Sequence, residues 1–268
     1  MVPRRSGVGH AFLDHPGPLA FAHRGGAAEA PENSLRAFTR AYDLGFRWFE
    51  TDVRSTADGQ LVVFHDASLR RVADVDARMD DVDLTTLDEV TSNGEPIMRF
   101  VDLVSSFPDV RFNVDPKDDH AARLLARALL EHQLLDRVCV ASFSDARLGW
   151  IRVALGPQAL AALSPGEVLR LVGAARLGQT IVFRGRRVVQ VPEGPRWLPL
   201  VGRAFVRTAH RCGLQVHVWT VNDPARMNHL LDLGVDGIMT DYPAILRDVL
   251  RVRGQWFGPE QHVDPVTP

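Results

Sequence analysis

The run Gly45-Phe46-Arg47-Trp48-Phe49-Glu50-Thr51-Asp52 puts three large aromatic residues between a glycine stop and two carboxylates. It follows the helix-length stretch Ser34 to Leu44. Short apolar runs alternating with amphipathic segments are the pattern of parallel strands buried on both faces. Seven other runs repeat it: Leu19 to His23, Val110 to Asp115, Val138 to Ser142, Ala159 to Ser164, Val188 to Val191, Leu214 to Thr220, and Val235 to Thr240. The spacing predicts helices over Phe100 to Ser106, Asp118 to Gln133, Asp145 to Leu155, Pro165 to Leu177, Trp197 to Cys212, Asp223 to Leu233 and Pro243 to Val252. Ser144 and Ser164-Pro165 supply start signals, and Gly45, Gly213 and Gly234 supply stops.

Eight such repeats with no Pro/Ser-rich linker predict an α/β fold of one closed (β/α)8 TIM barrel over residues 19–253. An open doubly wound sheet is disfavoured, because no GxGxxG or GxxxxGK[ST] loop follows any strand. After the second strand come an extra extended piece, Gln60 to Phe64, and a small Asp-rich insertion at about residues 66–97. Long loops at this place on a barrel are usually functional. Residues 1–18 and 254–268 read as loosely held N-terminal and C-terminal tails.

Across 268 residues the formal net charge is −2 and 46% of residues are hydrophobic, a balance that suits a packed core. It gives no general attraction to nucleic acid or to an anionic membrane. The longest stretch free of Asp, Glu, Lys and Arg is Val153 to Gly166, only 14 residues, so no transmembrane segment is expected. The first residues lack the apolar core of a secretory signal, and the chain reads as cytoplasmic. Cys139 and Cys212 stand far apart with no CxxC spacing, which predicts plain thiols rather than a disulfide or a zinc site.

A barrel carries its chemistry at the C-terminal strand ends. There the sequence gathers His23-Arg24, Glu50, Asp52, His65, Asp115, Lys117, Trp219 and Asp241. Glu50 and Asp52 lie two apart on one strand and so point to one side. With Asp115 they form three converging carboxylates, for which the usual remedy is one hard divalent cation, Mg2+ or Ca2+. His23 and His65 form a pair able to act as general acid and general base near neutral pH. Arg24 and Lys117 suit the phosphate of a bound diester or, equally, salt bridges to the nearby carboxylates, and Trp219 is counted with them as substrate-binding. His217, which shares a strand face with Trp219, reads as an interior histidine.

At these residues the chain resembles the glycerophosphodiester phosphodiesterases. The matching strings are Ala22-His23-Arg24-Gly25 with Pro31-Glu32-Asn33-Ser34, Glu50-Thr51-Asp52-Val53, and Val62-Val63-Phe64-His65-Asp66. Asn113-Val114-Asp115-Pro116-Lys117, Val218-Trp219-Thr220-Val221-Asn222 and Asp236 to Pro243 continue the pattern. The resemblance implies a metal-dependent barrel that hydrolyses glycerophosphodiesters to glycerol 3-phosphate and an alcohol. It assigns the metal to Glu50, Asp52 and Asp115, the phosphate to Arg24 and Lys117, and acid/base catalysis to His23 and His65. In the family scheme a glycerol hydroxyl attacks phosphorus and water then opens the cyclic phosphate. The insertion at about 66–97 matches the one the family carries after strand two. One departure is Asp115-Pro116-Lys117 where the family commonly has Glu-x-Lys, which shortens the third ligand by a methylene. Two other readings stand beside this one: a lysophospholipase D or sphingomyelinase-like enzyme, which would need an apolar groove at the mouth, and a non-catalytic barrel binding a phosphate metabolite. The alcohol released and the oligomeric state stay open.

Overall fold

A computed structural model describes residues 9–194 and 201–259. Eight parallel strands form the wall: β1 (Leu19–His23), β2 (Trp48–Ser55), β3 (Arg111–Pro116), β4 (Val138–Val140), β5 (Leu160–Ala161), β6 (Val188–Pro192), β7 (Gln215–Trp219) and β8 (Gly237–Thr240). Their order around the sheet is β5-β4-β3-β2-β1-β8-β7-β6. The two end strands meet where Leu163 N–H donates to the Val188 carbonyl (3.0 Å), which brings the sheet to a nearly closed barrel. The helices that follow the strands are α1 (Leu35–Asp43), α2 (Phe100–Ser106), α3 (Asp119–Glu131), α4 (Asp145–Leu155), α5 (Pro165–Arg176), α6 (Arg203–Arg211), α7 (Pro224–Leu233) and α8 (Pro243–Val252). The expected (β/α)8 barrel is what forms.

Local chemistry accounts for the boundaries. Ser34, Asp118, Ser144, Ser164 and Asp223 each accept a backbone N–H at the start of a helix, and Ser164 with Glu167 closes a reciprocal capping box. Gly234 ends α7 at φ +89°, a conformation that costs other residues energy. The fifth strand is only Leu160–Ala161, shorter than the apolar run around it, and the last residue of that run, Ser164, caps α5. The sixth helix starts at Arg203 with Gly202 as its cap, while the part of the expected helix over 197–200 lies outside the described residues.

The core lies between the strands' outer faces and the helices, where Phe38, Phe49, Phe112, Leu125, Leu148 and Val216 are buried. A smaller apolar plug fills the bottom of the barrel, and here the structure departs from the reading of a loose N-terminal tail. Ala11–Leu13 form a 3-10 turn, Phe12 is fully buried against Phe21, and Trp48 Nε1 donates to the Phe12 carbonyl (2.9 Å). Trp256 packs on Phe46 from the other end of the chain. An aromatic residue at the open floor removes more apolar surface from water than an ordered tail costs.

Leu61–Val63 runs antiparallel to the end of β2 and carries the insertion. Although rich in Asp, the insertion holds enough apolar residues for its own small core, in which Leu69, Met79, Leu84 and Leu87 gather against Val62 and Phe64. Two short helices, Arg70–Ala73 and Leu84–Leu87, and a hairpin of Thr91–Ser92 with Glu95–Pro96 complete it.

Candidate active site

Strand register assembles the site. His23 sits opposite Glu50 across β1 and β2, and Asp52 sits opposite Asp115 across β2 and β3. The three carboxylates are buried, at 6% exposure for Glu50, 2% for Asp52 and 7% for Asp115. Such a cluster needs positive charge nearby. Lys117 Nζ stands between Asp52 Oδ1 (2.8 Å) and Asp115 Oδ2 (2.7 Å), and Arg24 Nε lies 3.1 Å from Asp52 Oδ2. Glu50 Oε2 accepts the Arg24 backbone N–H (3.1 Å) and is 3.6 Å from His23 Nε2.

Burial and the Asp52 charge push the Glu50 carboxyl up to about 7, against the pull of His23, Lys117 and Arg24. Burial also pushes Asp115 up to about 6 despite Lys117. Asp52 moves the other way: burial opposes ionisation, but Lys117 and Arg24 hold it below the usual carboxylate range. The cluster therefore concentrates its fixed charge on Asp52 and carries more carboxylate than two cations neutralise comfortably. Among the described residues no group of three His, Cys, Asp or Glu side chains is arranged to hold a metal ion. Lys117 occupies the gap between two of the three expected ligands.

The two histidines share one design. His23 Nδ1 bonds Asp241 Oδ1 at 2.6 Å, and His65 Nδ1 bonds Asp66 Oδ1 at 2.6 Å. A carboxylate at Nδ1 fixes the proton there and leaves Nε2 as the nitrogen able to take up a further proton. Burial favours the neutral ring in both. At His23 the Glu50 charge and the Asp241 bond outweigh it, so the pKa rises. At the more exposed His65, burial prevails over Asp52 and Asp66 and the pKa falls.

The supporting residues were the part that sequence reasoning missed. Asp241 was placed at a strand end without a role, yet Asn222 Nδ2 donates to its second oxygen (2.8 Å) and the Asp241 N–H donates to Asn222 Oδ1 (2.9 Å). Glu32 binds Arg24 Nη1 (3.1 Å) and both terminal nitrogens of Arg71, and Arg71 Nε also pairs with Asp66. The insertion is thus tied to both His65 and Arg24. The signal for Asp66 was its adjacency to His65; for Arg71 the sequence offered none.

All eight expected site residues border one cavity of about 480 Å³. Its far wall is apolar: Leu163, Val168, Leu169 and Val191 face the charged side. Phe143, 69% exposed, meets Trp219 edge-to-face at 5.5 Å. His217 is fully buried beneath the site. Cys139 and Cys212 are free, and burial pushes the Cys139 thiol well up. No helix among the described residues is long and apolar enough to cross a membrane.

Residues 23–245 match the model of the Glycerophosphoryl diester phosphodiesterase family. The chain is 36% identical over 253 residues to the "Probable glycerophosphodiester phosphodiesterase 2" of Mycobacterium tuberculosis, covering 92% of this chain and 96% of that one. It is 27% identical over 270 residues to a lysophospholipase D of Mus musculus, covering 85% of each. In fold it resembles an Oleispira antarctica phosphodiesterase solved in complex with sn-glycerol-3-phosphate, with a TM-score of 0.72, 22% identity, and coverage of 88% and 97%.

Proposed function

The chain belongs to the glycerophosphoryl diester phosphodiesterase family, and from that premise we propose that it releases glycerol 3-phosphate and an alcohol from glycerophosphodiesters by metal-dependent histidine acid/base catalysis. One observation carries the catalytic part. Two histidines, each anchored at Nδ1 by its own carboxylate, flank one buried acidic cluster at the mouth of a barrel. A displacement at phosphorus in which an attacking hydroxyl loses a proton on one side and a departing alkoxide gains one on the other is well served by two such nitrogens. Anchoring at Nδ1 holds each Nε2 ready for its proton without a rotational search.

Glu50, Asp52 and Asp115 would hold the divalent cation, once the Lys117 ammonium that stands between Asp52 and Asp115 here moves aside. Three oxygen donors match a hard ion, and burial, joined by the Asp52 charge, raises Glu50 and Asp115 against the pull of Lys117, so a cation would favour their ionised forms. When bound, the ion supplies Lewis-acid polarisation of the phosphoryl oxygens. Arg24 and Lys117 contribute cationic donors to the same anion, with Arg24 steadied by Glu32. Trp219 and Phe143, in edge-to-face contact, give the mouth an aromatic rim beside the charged side. Identity of the ion, Mg2+ or Ca2+, turns on the shorter Asp115.

Release of glycerol 3-phosphate from a panel of glycerophosphodiesters tests the reading. Activity should vanish with chelator, return with Mg2+ or Ca2+, and fall sharply in His23→Ala and His65→Ala. Activity indifferent to chelation and to both substitutions would refute it.

A second reading is favoured by the apolar wall of Leu163, Val168, Leu169 and Phe143, which offers an acyl chain a place to lie. Choline release from lysophosphatidylcholine vesicles, reduced by Phe143→Ser and Leu169→Ser, would support lysophospholipase D activity.

A further inference from the structure

At the level of Glu50, two residues below Asp52 and Asp115, a row of polar side chains crosses the barrel interior, where bulky branched residues are the usual filling. Asn113 and Gln190 both line the cavity, and Gln190 Nε2 donates to Asn113 Oδ1 (2.8 Å). The direction of that bond is imposed from beneath. Gln215 Nε2 donates to the Leu13 carbonyl (3.2 Å), which leaves Gln215 Oε1 to accept from His217 Nε2 (3.3 Å). His217 is fully buried, and burial pulls its pKa down to about 4, so the ring is neutral. With its proton on Nε2, the other nitrogen can only accept, and Gln190 Nε2 lies 3.5 Å from it. Gln190 must then turn its amide NH2 toward both His217 and Asn113.

Asn113 must in turn offer its oxygen to Gln190, which leaves its own NH2 as a donor with no partner among the described residues. The arrangement has structural support. A Cβ at Gly237 would lie 2.8 Å from His217 Cδ2 and 3.1 Å from Phe21 Cε2, so the glycine makes room for the ring. A buried polar row is costly unless its members are bonded, and here each link except the last is made inside the protein.

Position decides what the last link binds. Asn113 pairs in register with Glu50, two residues below the Asp52 and Asp115 pair, or about 7 Å down the strand. A phosphoryl group belongs with Lys117 and Arg24 in the upper layer. The lower layer offers an uncharged donor one short carbon chain away. We propose that Asn113, oriented by the Gln190, His217 and Gln215 chain, is a specificity-determining residue that binds the outer hydroxyl of the substrate's glycerol. This rests on the glycerophosphodiester reading above.

The test compares sn-glycero-3-phosphocholine with its analogue lacking the outer hydroxyl, propane-1,2-diol 1-phosphocholine. Wild-type kcat/KM should favour the first by about tenfold, the worth of one good hydrogen bond. Asn113→Ala should erase that preference, through KM more than kcat, by costing the first substrate about tenfold more than the analogue. Gln190→Leu should weaken it in the same direction, and it carries the test if Asn113→Ala does not fold. Equal wild-type rates on the two substrates, or equal losses on both in Asn113→Ala, would overturn the proposal. If wild-type enzyme cleaves neither diester, the proposed function fails instead. Calorimetric binding of sn-glycerol 3-phosphate against propane-1,2-diol 1-phosphate then decides the role of Asn113 by the same ratio.

Discussion

Replacing Asp241 with asparagine should slow the enzyme through a residue that never reaches the substrate. In the native protein one Asp241 oxygen accepts from His23 Nδ1 and the other accepts from Asn222 Nδ2. Asparagine has a single oxygen. If Asn222 keeps it, the new NH2 faces His23 Nδ1 and drives the imidazole proton to Nε2, the wrong nitrogen for a base at the mouth. A hydrogen bond to a charged group is worth about 1.5–3 kcal/mol net, which at about 1.4 kcal/mol per decade corresponds to roughly tenfold to 150-fold in kcat. Two further signs follow. Burial already works against the His23 charge, so with Asp241 gone only Glu50 holds the pKa up, and the limb set by His23 should move toward acid. Asn222→Ala should reproduce a weaker form of the defect, because it frees Asp241 rather than removing it. The assay is steady-state release of glycerol 3-phosphate across pH 5 to 9, with thermal melting as a control for folding. A kcat within twofold of wild type, with an unmoved pH profile, would falsify the assignment of Asp241 as the positioning partner of His23.

His217 makes a pH-dependent contribution of determinate sign. Its folded pKa of about 4 lies below the ordinary 6.5, so between those values the unfolded chain binds a proton that the folded chain refuses. Stability should decline as pH falls from 6.5 toward 4, by up to about 3 kcal/mol relative to His217→Gln, as read by urea titration at each pH. Mg2+ or Ca2+ should raise the melting temperature of the metal-free protein at pH 7.5, and Asp115→Ala should abolish that rise in a calorimetric scan. Phe12→Ala should cost about 3–5 kcal/mol in denaturant unfolding while leaving KM close to wild type, since the plug lies at the opposite end from the chemistry.

Much of the fold was legible because its causes are local. Ser164-Pro165 with Glu167 makes a capping box from three nearby side chains, and Gly234 ends α7 by its own backbone freedom. The alternation of apolar runs with helices then leaves few architectures that bury every strand on both faces. The N-terminal residues were harder to read, because Phe12 has no local reason to be ordered; its partners Phe21 and Trp48 are distant in sequence. The small core of the Asp-rich insertion was hidden for a similar reason, since its few apolar residues suffice only when Val62 and Phe64 complete the cluster.

The amino-acid sequence by itself determined the eight βα units and which strands end in His23, Glu50, Asp52, Asp115, Lys117 and Trp219. Strand period and the polarity of a barrel suffice for that, because both depend on neighbours along the chain. Tertiary structure alone decided the pairings that give those residues their chemistry. His23 meets Asp241 across 218 positions, Lys117 lies between two carboxylates on different strands, and Arg71 ties the insertion to Glu32 across 39 positions. The amide of Asn113 is oriented through Gln190, His217 and Gln215 from a carbonyl at Leu13. Hydrogen bonds and charges act over a few ångströms of space, whatever the separation along the chain, so such partners become visible only once the ring of strands has formed.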